Sequence, residues 1–413
     1  MTKLSLAKDK IHVLLLEGVH DSAVQALAAS GYTNVKRLPK ALDEAELIQK
    51  VEGVHLLGIR SRTQITDRVL EAADRLVTLG CFCIGTNQVD LAAARRRGIP
   101  VFNAPFSNTR SVAELVMGEI VMLMRGILPK SDAAHRGEWI KSAANSWEVR
   151  GKTLGIVGYG NIGAQLGIVA EAFGMRVLYH DHTDKLPLGN ARPAKNLKGL
   201  LGEADVISLH VPETSETAGM IGAAEIQAMR KGSFLINASR GTVVDLAAAA
   251  KALESGHLLG GAFDVFPVEP AGIEEEFVSP LRGLSNVILT PHIGGSTAEA
   301  QERIGIEVAR KLADYSDVGS SLGAVNFPQA QLPIRPAGTR YLHIHQNVPG
   351  LLARTVEVFS ARNANITGQY LQTQGEIGYS VIDAEGDFDT GEVLDALRAI
   401  RGTIRARLLF EKH

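Results

Sequence analysis

The chain has 413 residues, 45% of them hydrophobic, and a formal net charge of only -2 at pH 7. That length predicts two or three domains with real cores, and the near-neutral balance leaves no basic surplus for nucleic acid or an anionic membrane surface. The amino end has no hydrophobic signal core and no apolar run approaches the roughly 20 residues that span a bilayer, so a cytoplasmic protein with no membrane partner is expected.

From Ile11 to about Asn103, strands alternate with helices. His12 to Leu16, His55 to Arg60, Leu76 to Gly80 and Pro100 to Phe102 read as strands, while Ser22 to Ser30, Leu42 to Lys50, Thr66 to Ala73 and Asp90 to Arg97 carry helical apolar spacing. This pattern predicts a small doubly wound parallel sheet. Lys36 to Lys40 reads as a loop. Arg60 and Arg62 flank Ser61 at a strand end, and two guanidinium groups suit a dianionic phosphoryl group; the alternative is a solvated basic turn. The only cysteines, Cys81 and Cys83, lie in an apolar strand-like segment and read as reduced core thiols. The twelve histidines show no helical metal-ligand spacing, so no metal is expected.

Ser111 and Glu114 have the spacing of a capping box opening a long helix from Val112 to Met124, and the crossing into a second domain is placed there. Lys152 to Gly158 then reads as a strand and Asn161 onward as a helix, the context a Gly158, Gly160, Gly163 fingerprint requires. Gly158 permits the tight turn, Gly160 lets backbone approach a pyrophosphate, and Gly163 lets helix and sheet pack closely. A second strand, Met175 to His180, ends at Asp181. An acid about 20 residues past the glycines is expected to hold the ribose hydroxyls of NAD and to repel the extra phosphate of NADP. A turn or cap role for Asp181 is the alternative, and His182 and Lys185 leave some NADP use open.

Three further apolar runs, ending near Asn237, Val265 and Thr290, read as buried parallel strands and are followed by Arg240, Glu269 and His292. Singly, these could be a surface cation, a loop charge and a capping histidine. Together they match what oxidation of a 2-hydroxy acid requires at one carbon. An arginine fork holds the substrate carboxylate, an imidazole with a reference pKa of roughly 6.5 takes the proton, and a carboxylate orients the imidazole.

The next helix, Ala298 to Tyr315, has no following strand and is expected to return to the amino-terminal domain, making that domain discontinuous. Ser316 to Gly338 is rich in Gly, Ser and Pro and reads as a linker. Beyond it the order is βαββαβ, a ferredoxin-like module. The expected domains are thus 1–107 with 296–336, 108–295, and 337–413. In the last, His343 and His345 share one face of a strand, and ordinary structural histidines are the alternative.

Taken together, the glycine fingerprint and the trio resemble the D-2-hydroxyacid dehydrogenase family. Arg60-Ser-Arg-Thr, Gly80 to Asp90, Asn103 to Glu114, Asn237 to Asp245, Ala324-Val-Asn-Phe-Pro and the carboxy-terminal module narrow the likeness to members that oxidise 3-phosphoglycerate and carry one ACT domain. The resemblance covers essentially the whole chain. It implies a flavodoxin-like substrate domain, a Rossmann NAD domain and an ACT regulatory domain. It further implies Arg240 as carboxylate clamp, His292 as acid/base and Glu269 as its partner, with NAD touching Asn161, Ile162, Asp181, Ala238, Ser239, Arg240, Asp264, His292, Gly294 and Gly295. Arg60, Ser61, Arg62, Asn108 and Lys141, the last from a neighbouring subunit, would meet the substrate. His345, Asn347 and Asn365 would bind L-serine as feedback effector across paired domains of a homotetramer. Other hydroxypyruvate, glyoxylate or 2-oxoglutarate reductases of the family remain an alternative. So do the NAD-binding corepressors similar to it, which the ACT-like tail disfavours.

Overall fold

The computed structural model describes residues 6–270, 275–333 and 338–410. Two compact units emerge, one built from residues up to Ser107 together with those from Gln301 onward, the other from Asn108 to Ala300.

The first unit opens with β1 (Val13–Leu15), α1 (Asp21–Ala29), β2 (Val35–Arg37), α2 (Glu44–Val51), β3 (Leu56–Ile59), α3 (Asp67–Ala72), β4 (Thr78–Cys81), α4 (Leu91–Arg96) and β5 (Val101–Phe102). The strands form a parallel sheet in the order β2-β1-β3-β4-β5. Except for β2 they are entirely buried, as strands covered on both faces must be. Asp43, Thr66 and Asp90 start their helices by accepting the N–H three residues on. The segment read as a loop around Lys36 is in fact β2, paired to β1 through Val13–Val35 and Leu15–Arg37. Its exposed Lys36 and Arg37 hide it, because a polar edge strand carries no apolar signal.

The second unit contains α5 (Thr109–Arg125), α6 (Ile127–His135), β6 (Thr153–Val157), α7 (Asn161–Ala172), β7 (Arg176–His180), β8 (Arg192–Pro193), α8 (Leu197–Glu203), β9 (Val206–Leu209), α9 (Ala223–Ala228), β10 (Ser233–Asn237), α10 (Leu246–Glu254), β11 (Leu258–Phe263) and β12 (Val287–Leu289). Its seven parallel strands run β12-β11-β10-β9-β6-β7-β8, so the order reverses between β6 and β9. The expected capping box does not form. The long helix begins earlier, at Thr109, while Ser111 Oγ bonds Thr297 Oγ1 at 2.8 Å and Glu114 pairs with Arg110. A tertiary partner has taken the serine that the local pattern assigned to the cap.

Helix α11 (Ala298–Val318) leads back to the first unit. Residues 319–333, read as a linker, are fitted against β5 instead. Ala324 bridges Phe102, and buried Asn326 accepts the Val101 N–H at 2.9 Å while donating to Ile99 O at 3.1 Å. Gly and Pro here shape turns over a sheet edge rather than a free connector. The carboxy-terminal module comprises β13 (Thr339–Gln346), α12 (Leu351–Ser360), β14 (Asn365–Gln374), β15 (Ile377–Glu385), α13 (Thr390–Ala399) and β16 (Thr403–Phe410), an antiparallel sheet in the order β14-β15-β13-β16. Leu342, Ile344, Tyr379 and Val381 join one core with Phe102, Val308, Tyr315 and Phe327.

The root of this module is a buried ion pair: Arg340, 1% exposed, meets Asp383 through Nε at 2.6 Å and Nη2 at 2.7 Å, and donates from Nη1 to Val318 O and Pro333 O. Asp383→Ala should strand that guanidinium and cost about 3–5 kcal/mol. A urea titration followed by circular dichroism checks it; the first transition should move to lower denaturant.

Candidate active site

The glycine loop leaves β6 where strand order reverses, the place at which open parallel sheets bind ligands. Gly158 has φ +92°, and a Cβ there would lie 2.3 Å from His210 O at the end of β9. One on Gly163 would lie 2.2 Å from Gly158 O. Neither position tolerates a side chain. Around Gly160, by contrast, a Cβ would meet nothing within 4 Å, and it would fill the space that faces the start of α7. The first bond of that helix runs from Ala164 N to Gly160 O, so the N–H groups of Asn161, Ile162 and Gly163 have no intrahelical acceptor. Open space before free N–H groups and a helix dipole fits a pyrophosphate.

Asp181 lies just past β7, with its side chain largely covered. Its Oδ2 accepts the Tyr159 N–H at 2.8 Å and its Oδ1 accepts from Thr183 N and Oγ1 at 3.1 Å. Burial pushes this carboxyl up, but those bonds and the Lys185 cation together hold it below the usual value, so it is a fixed anion beside the glycine loop. The hydrogen bonds to Thr183 give Asp181 the turn role, and the bond to Tyr159 ties it to the glycine loop.

Arg240, Glu269 and His292 come together through three loops after β10, β11 and β12. Asn237 builds the first: its Oδ1 accepts from Ser239 N and Oγ, and its Nδ2 donates to Arg240 O at 2.9 Å. Gly241 then presses on the second loop, since a Cβ there would sit 1.9 Å from the Phe266 carbonyl carbon. Only glycine lets the arginine and glutamate loops approach so closely. In the third loop His292 adopts φ +54°, rare for a residue with a side chain. Buried Asp264 holds it there, with Oδ1 accepting from Thr290 Oγ1 at 2.6 Å and Ile293 N at 2.8 Å, and Oδ2 from Gly294 N at 2.8 Å.

His292 donates from Nδ1 to Glu269 Oε2 at 2.9 Å, while Glu269 Oε1 accepts the Phe266 N–H at 3.2 Å. Nε2 makes no hydrogen bond among the described residues, and the side chain is 51% exposed. The bond to Glu269 raises the His292 pKa above its ordinary value; burial opposes this, the charges of Glu269 and Asp264 add to it, and Arg240 opposes it. Burial pushes Glu269 up, but the His292 hydrogen bond and charge, the Phe266 N–H and the Arg240 cation together outweigh it, so this carboxyl stays low.

The sequence reading missed two contributors. Asn237 lay inside a quoted segment without a role. Glu119, on the apolar face of α5, is 3% exposed, and neither of its oxygens has a partner among the described residues. Burial, and then the nearby Asp264 charge, push its pKa up to about 8, so it is mostly a neutral acid at pH 7. Its one sequence signal is a carboxyl falling in register with Val112 and Val116 on a buried face.

The other anticipated residues are dispersed. Ala238 and buried Ser239 lie in the arginine loop, and Gly294 and Gly295 follow His292; a Cβ on Gly295 would be 2.4 Å from Asn108 Nδ2. Asn108 starts α5 with its Oδ1 buried and without a partner among the described residues. Lys141 lies in an exposed stretch beside Trp139, itself 87% exposed. In the first unit, Arg60, Ser61 and Arg62 follow β3, and neither guanidinium forms an ion pair among the described residues. Buried His345 uses both ring nitrogens, on Gln346 O at 2.8 Å and Ser380 Oγ at 2.9 Å, while exposed Asn347 donates to Gly375 O. Asn365 is not brought to them. It pairs with Glu385 whereas His345 pairs with Gly378, which separates them by about 23 Å along β15.

The sequence pattern of the D-isomer specific 2-hydroxyacid dehydrogenase NAD-binding domain matches residues 117–294, and that of the AHAS small subunit-like ACT domain matches residues 342–405. The chain is 58% identical over 411 residues to the D-3-phosphoglycerate dehydrogenase of Escherichia coli strain K12, covering 99% of this chain and 100% of that one. It is 46% identical to the enzyme of that name from Dictyostelium discoideum, covering 98% and 99%. Among solved structures it resembles a D-lactate dehydrogenase from Aquifex aeolicus complexed with NAD and lactic acid, with TM-score 0.68 and 27% identity over 77% of this chain and 100% of that one.

A histidine titration followed by NMR of the labelled protein checks the site's electrostatics without any substrate. His292 should titrate above its ordinary 6.5, and Glu269→Gln should bring the midpoint down.

Proposed function

The chain belongs to the D-isomer specific 2-hydroxyacid dehydrogenase family, and on that premise we propose that it oxidises 3-phospho-D-glycerate to 3-phosphohydroxypyruvate with NAD. The observation that carries the chemistry is the Glu269–His292 hydrogen bond with Nε2 left open, beside Arg240. Relatives named for this reaction, 46% and 58% identical over nearly the whole chain, carry the choice of substrate.

Arg240 holds the substrate carboxylate through its planar fork and so fixes which face of the carbinol carbon is presented. His292 Nε2 takes the hydroxyl proton as the C–H bond breaks. Glu269 keeps the ring in the tautomer with Nδ1 protonated and steadies the imidazolium that forms. NAD, when bound, accepts the hydride. The glycine loop and the α7 amino end would hold its pyrophosphate, and Asp181 its ribose hydroxyls, a fixed negative charge unsuited to the 2′-phosphate of NADP. We assign the phosphate end of the substrate to Arg60 and Arg62, with Ser61, Asn108 and Lys141 as further donors.

The carboxy-terminal module is read as an L-serine sensor using His345, Asn347 and Asn365. Because Asn365 lies far along β15 from His345 within one chain, such a site needs two copies of the module, which favours a homo-oligomer, a tetramer by family likeness. Half-exposed Phe173, which lines a groove of about 520 Å³ with Met117, Val121 and Met122, adds an apolar surface suited to self-association.

Three outcomes are expected. His292→Ala should lower kcat by roughly 10²- to 10⁴-fold with NADH binding, read by fluorescence, retained; near-normal turnover defeats the assignment. Oxidation needs neutral His292, so its kcat/KM should rise with pH through a midpoint above 6.5, and Glu269→Gln should shift that limb to lower pH. NADH oxidation with 3-phosphohydroxypyruvate should exceed that with hydroxypyruvate, glyoxylate or 2-oxoglutarate and fall when L-serine is added; an unchanged rate removes the sensor reading.

A further inference from the structure

The five-stranded sheet has its own reversal of strand order, between β1 and β3, and the chain leaving β1 meets the chain leaving β3 there. Glu17 and Gly18 follow β1 with φ +60° and +61°. Glycine adopts this region freely, but a glutamate there is strained, and its surroundings must offset that strain. Part of the offset is local: Glu17 N–H donates to Lys40 O at 3.2 Å and Gly18 N–H to Leu38 O at 3.1 Å. The rest is the side chain. Glu17 is 9% exposed, and its Oε1 accepts the N–H groups of Arg60 at 3.1 Å and Thr63 at 2.9 Å, while Oε2 accepts that of Arg62 at 3.0 Å.

The same loop is gripped from its other side. Buried Gln88 donates from Nε2 to Arg60 O at 2.6 Å and to Gly85 O at 3.2 Å. Both backbone groups of Arg60 are thus fixed by side chains from other segments, yet the guanidinium groups of Arg60 and Arg62 are held by no carboxylate among the described residues. Strained backbone, a carboxylate fully engaged by peptide N–H groups and two unpaired cations all converge on one loop.

We propose that Glu17 is a positioning residue for the phosphate end of the substrate: it sets the backbone of Arg60-Ser61-Arg62 so that both guanidinium groups stand ready for a dianionic phosphoryl group. The proposal rests on the assignment of Arg60 and Arg62 made above. The physical gain lies in how the arginines are held. An arginine oriented by a salt bridge must give up that partner, or share it, when phosphate arrives. Arginines oriented through their own backbone need give up nothing, and less order has to be created on binding. Glu17 spends both oxygens on backbone N–H groups, so it does not compete with a phosphoryl group for the guanidinium donors.

The test compares kcat/KM for 3-phosphohydroxypyruvate with that for hydroxypyruvate, the same acid without the phosphate, in the full-length protein and in its Glu17→Gln and Glu17→Ala variants. The ratio of the two constants should fall roughly 10- to 100-fold, through KM of the phosphorylated acid. Glu17→Gln should lose less than Glu17→Ala, because its carbonyl oxygen can still serve Arg60 and Thr63 while its amide opposes only the Arg62 N–H. An unchanged ratio in both variants, whether activity is kept or lost on both substrates alike, overturns the proposal and leaves Glu17 a structural residue. The Arg60→Ala/Arg62→Ala double variant separates the two readings: if its ratio also stays at the parent value the phosphate assignment itself has failed, and if only its ratio falls the positioning role alone is lost.

Discussion

Three donors converge on the buried carboxylate of Asp264, and the placement of His292 follows from them. Thr290 Oγ1, Ile293 N and Gly294 N all bond to it, so the chain on both sides of His292 is tied to the end of β11. The histidine between them is forced into the left-handed region, which turns its ring toward Glu269. An ionised carboxylate with three charge-assisted bonds can carry a strained residue of this kind, whereas a loop held by its own backbone alone would relax.

The first unit uses the same device. Glu17 accepts three backbone N–H groups from the loop after β3, as Asp264 accepts three donors from the loop after β12. In each case an acid at the carboxyl end of one parallel strand organises the loop that leaves another. Parallel sheets invite this arrangement, because all strand ends of one polarity lie along one edge and their outgoing loops are neighbours. Each anchoring acid is buried, and each loop it holds presents an ionisable side chain with an unused donor or acceptor: Nε2 of His292 in one, the Arg60 and Arg62 guanidinium groups in the other.

Burial has an electrostatic consequence behind the site. Glu119 lies near enough to Asp264 to feel its charge, and two ionised carboxylates could not share so dry a region cheaply. The pair resolves the conflict by asymmetry. Asp264 has three donors, and Glu119, without any among the described residues, holds its proton until about pH 8.

Much of this was legible in the chain itself. Buried parallel strands announce themselves as apolar runs, and the glycines at 158 and 163 follow from contacts no side chain could survive. The residue types of the trio follow from the chemistry they must perform. What local pattern could not show was every feature whose partner is distant in sequence. Strand β2 is polar and exists because β1 pairs with it; Ser111 left its capping box for Thr297; the Gly and Pro of residues 319–333 serve a sheet edge completed by Asn326. Sequence placed Asp264 near a cofactor and gave Glu17 and Asn237 no role, because a carboxylate or amide reveals its work only through the donors around it. The sequence by itself determined the buried strands, the amphipathic helices and the chemically competent trio, through periodicity and residue type; tertiary structure alone decided the polar edge strand, which carboxylates are anchors, which is an acid and which partners a base, because hydrogen bonding and burial are properties of neighbours brought together by folding.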